Sequence, residues 1–510
     1  MKKLKFIYIS LGILAFTACN DPEDVDIAPE VLVEESVALT AGSADFSNYV
    51  SLGNSLTAGF TDGALFQASQ TLSLPNLLSQ KFSLVGGGSF TQPLTNDNIG
   101  GLAAGGARIQ GPRLVFGGAG PVGLETLIGP VTVTTDIALN NPTGPFNNLG
   151  VPGAKSFHLL APGYGNLANV SLGLANPYFV RMTGSTPNAS VLELAVAQTP
   201  SFFSLWGGEN DVLGYATTGG DGTNPITPVS GVPGVGFDGS YGALIATLTA
   251  GGAQGVVANI PNVLNIPHFT TVPHNPVPLD AATAAAVNGA YAPYNGGLQA
   301  AFGALTGTGL FTQEELDART ISFTAGTNNA VVIEDETLTD LGAINPAFAA
   351  LPKIRQATKA DLIVLPAASF IGTLAVPGNP LTVNGVAVPL ADKWVLLPSE
   401  QAEIAVATEA FNQIIAATAS QAGLAFVDTY TLLNQLANGG ITSGDFTLTS
   451  SLVTGSAFSL DGVHPTARGY ALIANEFMKA IDVTYGSNFE ASGNLLNVGD
   501  YPTNFSPILQ

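Results

Sequence analysis

The chain has 510 residues, of which 46% are apolar and 10% charged, and a formal net charge of -22. That length exceeds a typical single domain, so one elaborated domain or two domains are expected, with enough apolar side chain for a large core. The excess of acid excludes nucleic-acid binding, which needs clustered Lys and Arg, and general attraction to anionic headgroups. It reads instead as the solubility of an exported protein.

The N-terminus has the pattern of a targeting segment. Lys2, Lys3 and Lys5 precede a short apolar run, Phe6 to Phe16, too short to span a bilayer comfortably. The run ends at Phe16-Thr17-Ala18-Cys19, which resembles the lipobox of bacterial lipoproteins. That resemblance implies cleavage before Cys19 and lipidation of its thiol. Cys19 is the single cysteine, so no intrachain disulfide and no cysteine-based metal site can form. Residues 1–18 are therefore expected to be a signal peptide, and the polar, acidic stretch 19–44 a tether. The expected location is the outer membrane or cell surface of a Gram-negative bacterium, with membrane contact only through the N-terminal lipid. No other apolar run of about 18 residues escapes Gly and Pro breaks, so no transmembrane helix is expected.

From Tyr49 the pattern is strand, tight turn, helix. Tyr49-Val50-Ser51-Leu52 is apolar-rich, Gly53-Asn54 is a turn signal, and Ser55 and Thr57 suit a helix start. Residues from about 83 to 145 are Gly-rich and read as an insertion. Phe202 to Trp206 is a second buried strand, Ser240 to Leu248 a helix, and Gly255 to Ile260 a third strand. Leu362 to Leu365 is a further strand candidate. Residues 269–393 fit the rhythm least and read as a second insertion or small subdomain. Ile404, Thr408, Phe411 and Ile415 recur at helical spacing up to Gly423. Leu424 to Val427 is a strand, and Tyr470, Ile473, Phe477 and Ile481 mark a final helix before a tail, 486–510. Strands alternating with helices predict an α/β layered fold with a mainly parallel sheet.

Four segments carry chemistry. Gly53-Asn54-Ser55-Leu56 places a serine on a strand-to-helix turn, where open α/β sheets bind ligands; the same tetrapeptide alone is equally a plain turn. Asp461-Gly462-Val463-His464-Pro465 sets a carboxylate three residues before a histidine and just before a helix that Pro465 is expected to start. Asp461 can then hold one imidazole nitrogen while the other takes a proton. The alternative is an aspartate capping that helix. Gly208-Glu209-Asn210-Asp211 follows a strand, so Asn210 can offer an amide to a developing oxyanion, or form an ordinary Asn-Asp turn. Gly153, in Asn148-Leu149-Gly150-Val151-Pro152-Gly153-Ala154, can offer a backbone N–H, or be a loop glycine. His158 reads as a structural loop histidine, and His268 and His274 show no metal-ligand spacing. No G-x-S-x-G, H-E-x-x-H or phosphate-binding loop is present.

In this order the four segments resemble the signature blocks of the SGNH (GDSL-type) hydrolase family. The resemblance covers about residues 45–485. It implies Ser55 as nucleophile, His464 as base and Asp461 as its partner. It further implies an oxyanion hole made of the Ser55 N–H, the Gly153 N–H and the Asn210 side chain. The implied fold is a three-layer α/β/α sandwich, and the implied activity is hydrolysis of carboxylic esters with no metal or organic cofactor. Asn54 departs from the family's usual Gly-Asp-Ser-Leu, which puts the local hydrogen bonding beside the nucleophile in question. The expected function is a lipoprotein esterase or lipase. Two other readings stand beside it: a carbohydrate esterase that removes acetyl groups, and a surface lipoprotein that binds glycan or lipid without turnover.

Overall fold

The computed structural model describes residues 37–379 and 382–509, so the expected signal peptide, Cys19 and most of the tether lie outside the described residues. Five strands form one parallel sheet: β1 (Tyr49–Gly53), β2 (Asn148–Gly150), β3 (Phe202–Trp206), β4 (Gln254–Ala258) and β5 (Ala425–Val427). Their order is β5-β4-β3-β1-β2, and every neighbouring pair is parallel. Every residue of β1 and β3 is buried. Helices flank the sheet, which is why these strands read as continuous apolar runs rather than alternating ones.

The main helices are α1 (Ser55–Ala58), α2 (Leu74–Phe82), α3 (Asn210–Thr217), α4 (Phe237–Thr249), α5 (Ala281–Ala304), α6 (Pro398–Ala422), α7 (Thr429–Ala437) and α8 (Ala467–Tyr485). Helix α6 stops at Gly423, which takes the left-handed φ of +66° that a side chain would resist. Among the described residues no helix is long and apolar enough to cross a membrane.

Several expectations change. Strand β2 was not apparent, because Asn148-Leu149-Gly150 has poor strand composition. It forms through its pairing with Ser51–Gly53. It also lies close to α1: a Cβ on Gly150 would come within 2.3 Å of the Ala58 nitrogen, so only glycine allows this approach. Leu362–Ile363 is a strand, but it pairs antiparallel with Val395–Leu396 outside the central sheet. Pro465 does not start α8. The cap is Thr466, whose hydroxyl accepts from the Gly469 N–H, so Asp461 is not the helix cap either.

The stretch 83–145 contains two hairpins, Leu102–Ala104 with Ala107–Gln110 and Leu114–Phe116 with Pro121–Gly123. The stretch 269–393 contains α5 and a separate small core of Leu298, Ala301, Leu305, Phe311, Leu316 and Leu341. Both ends of the chain reach further into the fold than their composition implies. The compact unit begins at Leu39, and Ser43 donates from its N–H to the Tyr485 carbonyl at 2.8 Å. Residues past 485 fold back: Phe489 and Val498 are fully buried. The buried Arg113 donates to the carbonyls of Ser506 at 2.6 Å and Leu509 at 3.1 Å.

Candidate active site

The sheet order puts β1 between β2 and β3, so the segments leaving these three strands meet at one edge. This is where a sheet changes winding direction and a crevice opens beyond the strand ends. Ser55 follows β1, Gly153 follows β2 and Asn210 follows β3. His464 arrives from the loop before α8.

Ser55 Oγ lies 2.9 Å from His464 Nε2, and His464 Nδ1 lies 2.8 Å from Asp461 Oδ2. An ionised carboxylate only accepts, so Nδ1 carries the hydrogen and Nε2 faces Ser55 with its lone pair. Burial works against the Asp461 charge. It is outweighed by the neighbouring imidazole and by backbone N–H donors, which hold this carboxyl well below the usual range. Its Oδ1 accepts from the N–H groups of Val463 at 2.8 Å and His464 at 2.9 Å, and from Ser459 Oγ at 3.0 Å. Its Oδ2 accepts from the Gly63 N–H at 2.8 Å.

The last of these donors comes from the loop after α1. That loop docks onto the Asp461 loop at several points. Asp62 Oδ1 accepts from the Leu460 N–H at 3.0 Å, the Asp62 N–H donates to Ser459 Oγ at 3.0 Å, and Thr61 Oγ1 donates to the Pro465 carbonyl at 2.9 Å. Phe60 packs against the imidazole with ring centroids 4.6 Å apart. Burial pushes the Asp62 carboxyl up to about 7, with the Asp461 charge adding to the effect. Ser459 and Gly63 were not singled out in the sequence. Asp62-Gly63 is visible as a turn signal, but its partner lies some four hundred residues later.

The other side of Ser55 is held by the Gly208–Asp211 segment. Asn210 Nδ2 donates to the Ala154 carbonyl at 2.9 Å, which orients the amide and leaves its second N–H available. Asp211 accepts from the Ser156 N–H and from Ser156 Oγ, both at 2.8 Å. The first turn of α3 thereby fixes the loop that carries Gly153. Asn176 Nδ2 adds a bond to the Pro152 carbonyl at 2.7 Å. Gly153 has φ of +80°, a conformation that costs a side chain roughly 1–2 kcal/mol. Among the described residues, neither the Ser55 nor the Gly153 N–H donates to another protein group.

Comparison with protein-family models, curated proteins and solved structures finds no match.

Asn54, the departure from the family pattern, has a defined partner. Its Oδ1 accepts from the Leu56 N–H at 2.9 Å and so caps α1. Its Nδ2 donates to Glu209 Oε2. Glu209 is buried, and burial pushes its carboxyl up to about 8, with the Asp211 charge adding to the rise. Neither this pairing nor the burial of Glu209 was legible in the sequence.

Two spaces open at Ser55. One is a cleft of about 400 Å³ bordered by Ser55, His464, Gly153 and Asn210, with Gln110, Lys155 and Asn224 supplying polar side chains. The other, of about 40 Å³, lies toward Leu56, Pro261 and Val463. His158 borders neither. Its Nδ1 accepts from the Lys155 N–H at 3.0 Å and its ring stacks on Tyr164 at 4.7 Å. His268 is buried and joins the Asp461 loop through its N–H, which donates to the Gly462 carbonyl at 2.9 Å. Among the described residues, one acidic group, Glu336, Asp392 and Glu400, brings three carboxylates within 4.8 Å of one another. None of the three borders the spaces at Ser55.

Proposed function

We propose that this chain is a serine ester hydrolase of the SGNH type, with the three-layer α/β/α arrangement of that family. The observation that carries the reading is the chain Ser55 Oγ, His464 Nε2, His464 Nδ1, Asp461 Oδ2, with contacts of 2.9 and 2.8 Å. The placement of Gly153 and Asn210 at the adjoining strand ends supports it. A contact of that length favours turnover over a scaffold that only binds.

In this mechanism Ser55 Oγ attacks the ester carbonyl carbon while His464 Nε2 takes the hydroxyl proton. Asp461 stabilises the imidazolium and fixes its tautomer. The carbonyl oxygen gains the negative charge and meets the Ser55 and Gly153 N–H groups and the Asn210 amide. Collapse breaks the bond to the alcohol oxygen, which leaves with the proton from His464. A water then attacks the acyl-serine, gives its proton to His464, and the carboxylic acid departs as the proton returns to Ser55. The protein's own groups complete this cycle without a cofactor.

We assign the chain to the bacterial envelope, exported and held through a lipid on Cys19. Hydrolysis of a short-chain nitrophenyl ester tests the enzymatic reading. Ser55→Ala is expected to lower kcat by about 10⁴-fold or more while the fold is kept; equal turnover in this variant would remove Ser55 from the mechanism.

A further inference from the structure

The small space at Ser55 abuts a second one. This second space, of about 70 Å³, is walled by Leu433 and Leu436 of α7, Ile473 of α8, Phe458 and Trp206. Leu56, Pro261, Ile266 and Val463 border both spaces, so they meet across one apolar wall that begins at the residue after the nucleophile. The wall's hydroxyl, Thr429 Oγ1, is tied to the Asn259 carbonyl oxygen. The cleft on the other side of Ser55 differs in character. It is wide and carries Gln110, Lys155 and Asn224, while its aromatic residues Phe60 and Tyr178 are more than nine-tenths buried. They offer no open stacking platform for a sugar ring.

Ester hydrolysis at Ser55 divides the substrate into an acyl part, which stays on the serine, and an alcohol part, which leaves past His464. The two sides of the site differ in the same sense. We propose that the two adjoining spaces on either side of Leu56, Pro261, Ile266 and Val463 together receive the acyl chain, and that the substrate is an ester of a straight aliphatic acid longer than acetate. The alcohol part then occupies the wider cleft, whose lining mixes apolar side chains with Gln110, Lys155 and Asn224. This assignment rests on the ester-hydrolase reading. An apolar cavity of about 150 Å³ admits a six-carbon ring. The two smaller spaces, about 40 and 70 Å³, together fall short of that size, so the fitting acyl group is a short chain of about four to six carbons rather than a ring or a long fatty acyl chain.

The test is a series of nitrophenyl esters from acetate to decanoate, hydrolysed by the wild type and by variants at Leu436, which lines the second space and does not border the space at Ser55. For the wild type, kcat/KM is expected to rise about fourfold per added methylene up to hexanoate, as each CH₂ leaves water, and then to level or fall. Leu436→Phe is expected to lose at least tenfold on butanoate and hexanoate while acetate turnover stays within about twofold. Leu436→Ala, which makes room instead, is expected to move the optimum to longer chains, so a folding defect in the larger variant leaves the question answerable. A wild type fastest on acetate, or variants that change every ester alike, would overturn the acyl-pocket assignment and leave the hydrolase reading standing. A wild type inert toward the whole series would defeat the hydrolase reading, and the pocket assignment with it.

Discussion

The side-chain amide of Asn54 donates to the buried carboxyl of Glu209, joining the end of β1 to the end of β3 directly beside the nucleophile. One residue of this pair caps the helix that carries Ser55, and the other precedes Asn210, the proposed oxyanion donor. The asparagine at position 54 supplies a donor to this carboxyl where the Gly-Asp-Ser-Leu pattern has an aspartate.

The pair has a pH signature in stability. Burial raises the Glu209 carboxyl from an ordinary 4.5 to about 8. Between those values the folded chain holds a proton that the unfolded chain has released, so stability falls as pH rises through that window. The contribution is complete below about pH 4.5 and gone above about pH 8, and its size is on the order of a few kcal/mol. The facing groups are the Asp211 carboxylate and the Tyr241 hydroxyl, itself held neutral by burial. Glu209→Gln keeps a neutral side chain of the same shape. Its melting temperature is expected to decline less than that of the wild type from pH 5 to pH 9. Parallel melting profiles for the two proteins would contradict the assignment.

In the proposed mechanism Asn210 acts on the developing charge rather than on the ground state. Asn210→Ala is expected to lower kcat by about 10²–10³-fold with KM changed little, because the amide meets an oxygen whose charge grows only on the way to the tetrahedral species. Steady-state kinetics on one ester separates the two parameters. A rise in KM at constant kcat would mean that Asn210 binds substrate instead.

Asp461 accepts five hydrogen bonds and leaves no oxygen idle. In Asp461→Asn the amide NH₂ must replace an oxygen that accepts either from Gly63 and His464 Nδ1 or from Ser459 and two backbone N–H groups. Either orientation sets donor against donor. With the amide toward the ring, the imidazole is forced into the tautomer that cannot accept from Ser55. The expected loss is about 10³–10⁴-fold in kcat, with destabilisation of about 1–3 kcal/mol from the broken loop contacts. Denaturant unfolding and kinetics on the same preparation check both. Retention of full activity would show that the carboxylate does not set the tautomer.

The parts of the site legible in the sequence were those whose chemistry is local. Asp461 and His464 are three residues apart, and their bond needs only a turn. Ser55 sits where an apolar run gives way to a turn signal, which is enough to place it at a strand end. The helix ending at Gly423 was legible for the same reason. Strand β2 was not, because Asn148-Leu149-Gly150 has no strand composition and is extended only by its neighbour β1. Leu362–Ile363 has strand composition yet joins a separate hairpin, since composition reports preference and not partner.

Contacts between distant segments were beyond reach in the same way. Nothing in Asp62-Gly63 points to Asp461, nothing in Arg113 points to the last residues of the chain, and nothing in Asn54 points to Glu209. Each depends on how loops meet once the sheet has assembled.

By itself, then, the sequence determined an acidic α/β chain with a serine on a turn, a histidine–aspartate pair, and an asparagine and a glycine in an order that resembles one family. These follow from side-chain chemistry and from spacing along a few residues. Only the tertiary structure decided that Ser55, His464 and Asp461 stand in hydrogen-bond register, that Asn54 is paired with a buried carboxyl, and that a wide cleft and a small space open at the serine. Those properties arise where the ends of three parallel strands and the loop before α8 converge. Burial and distance there are set by packing between residues hundreds of positions apart, and that packing has no local signature in the chain.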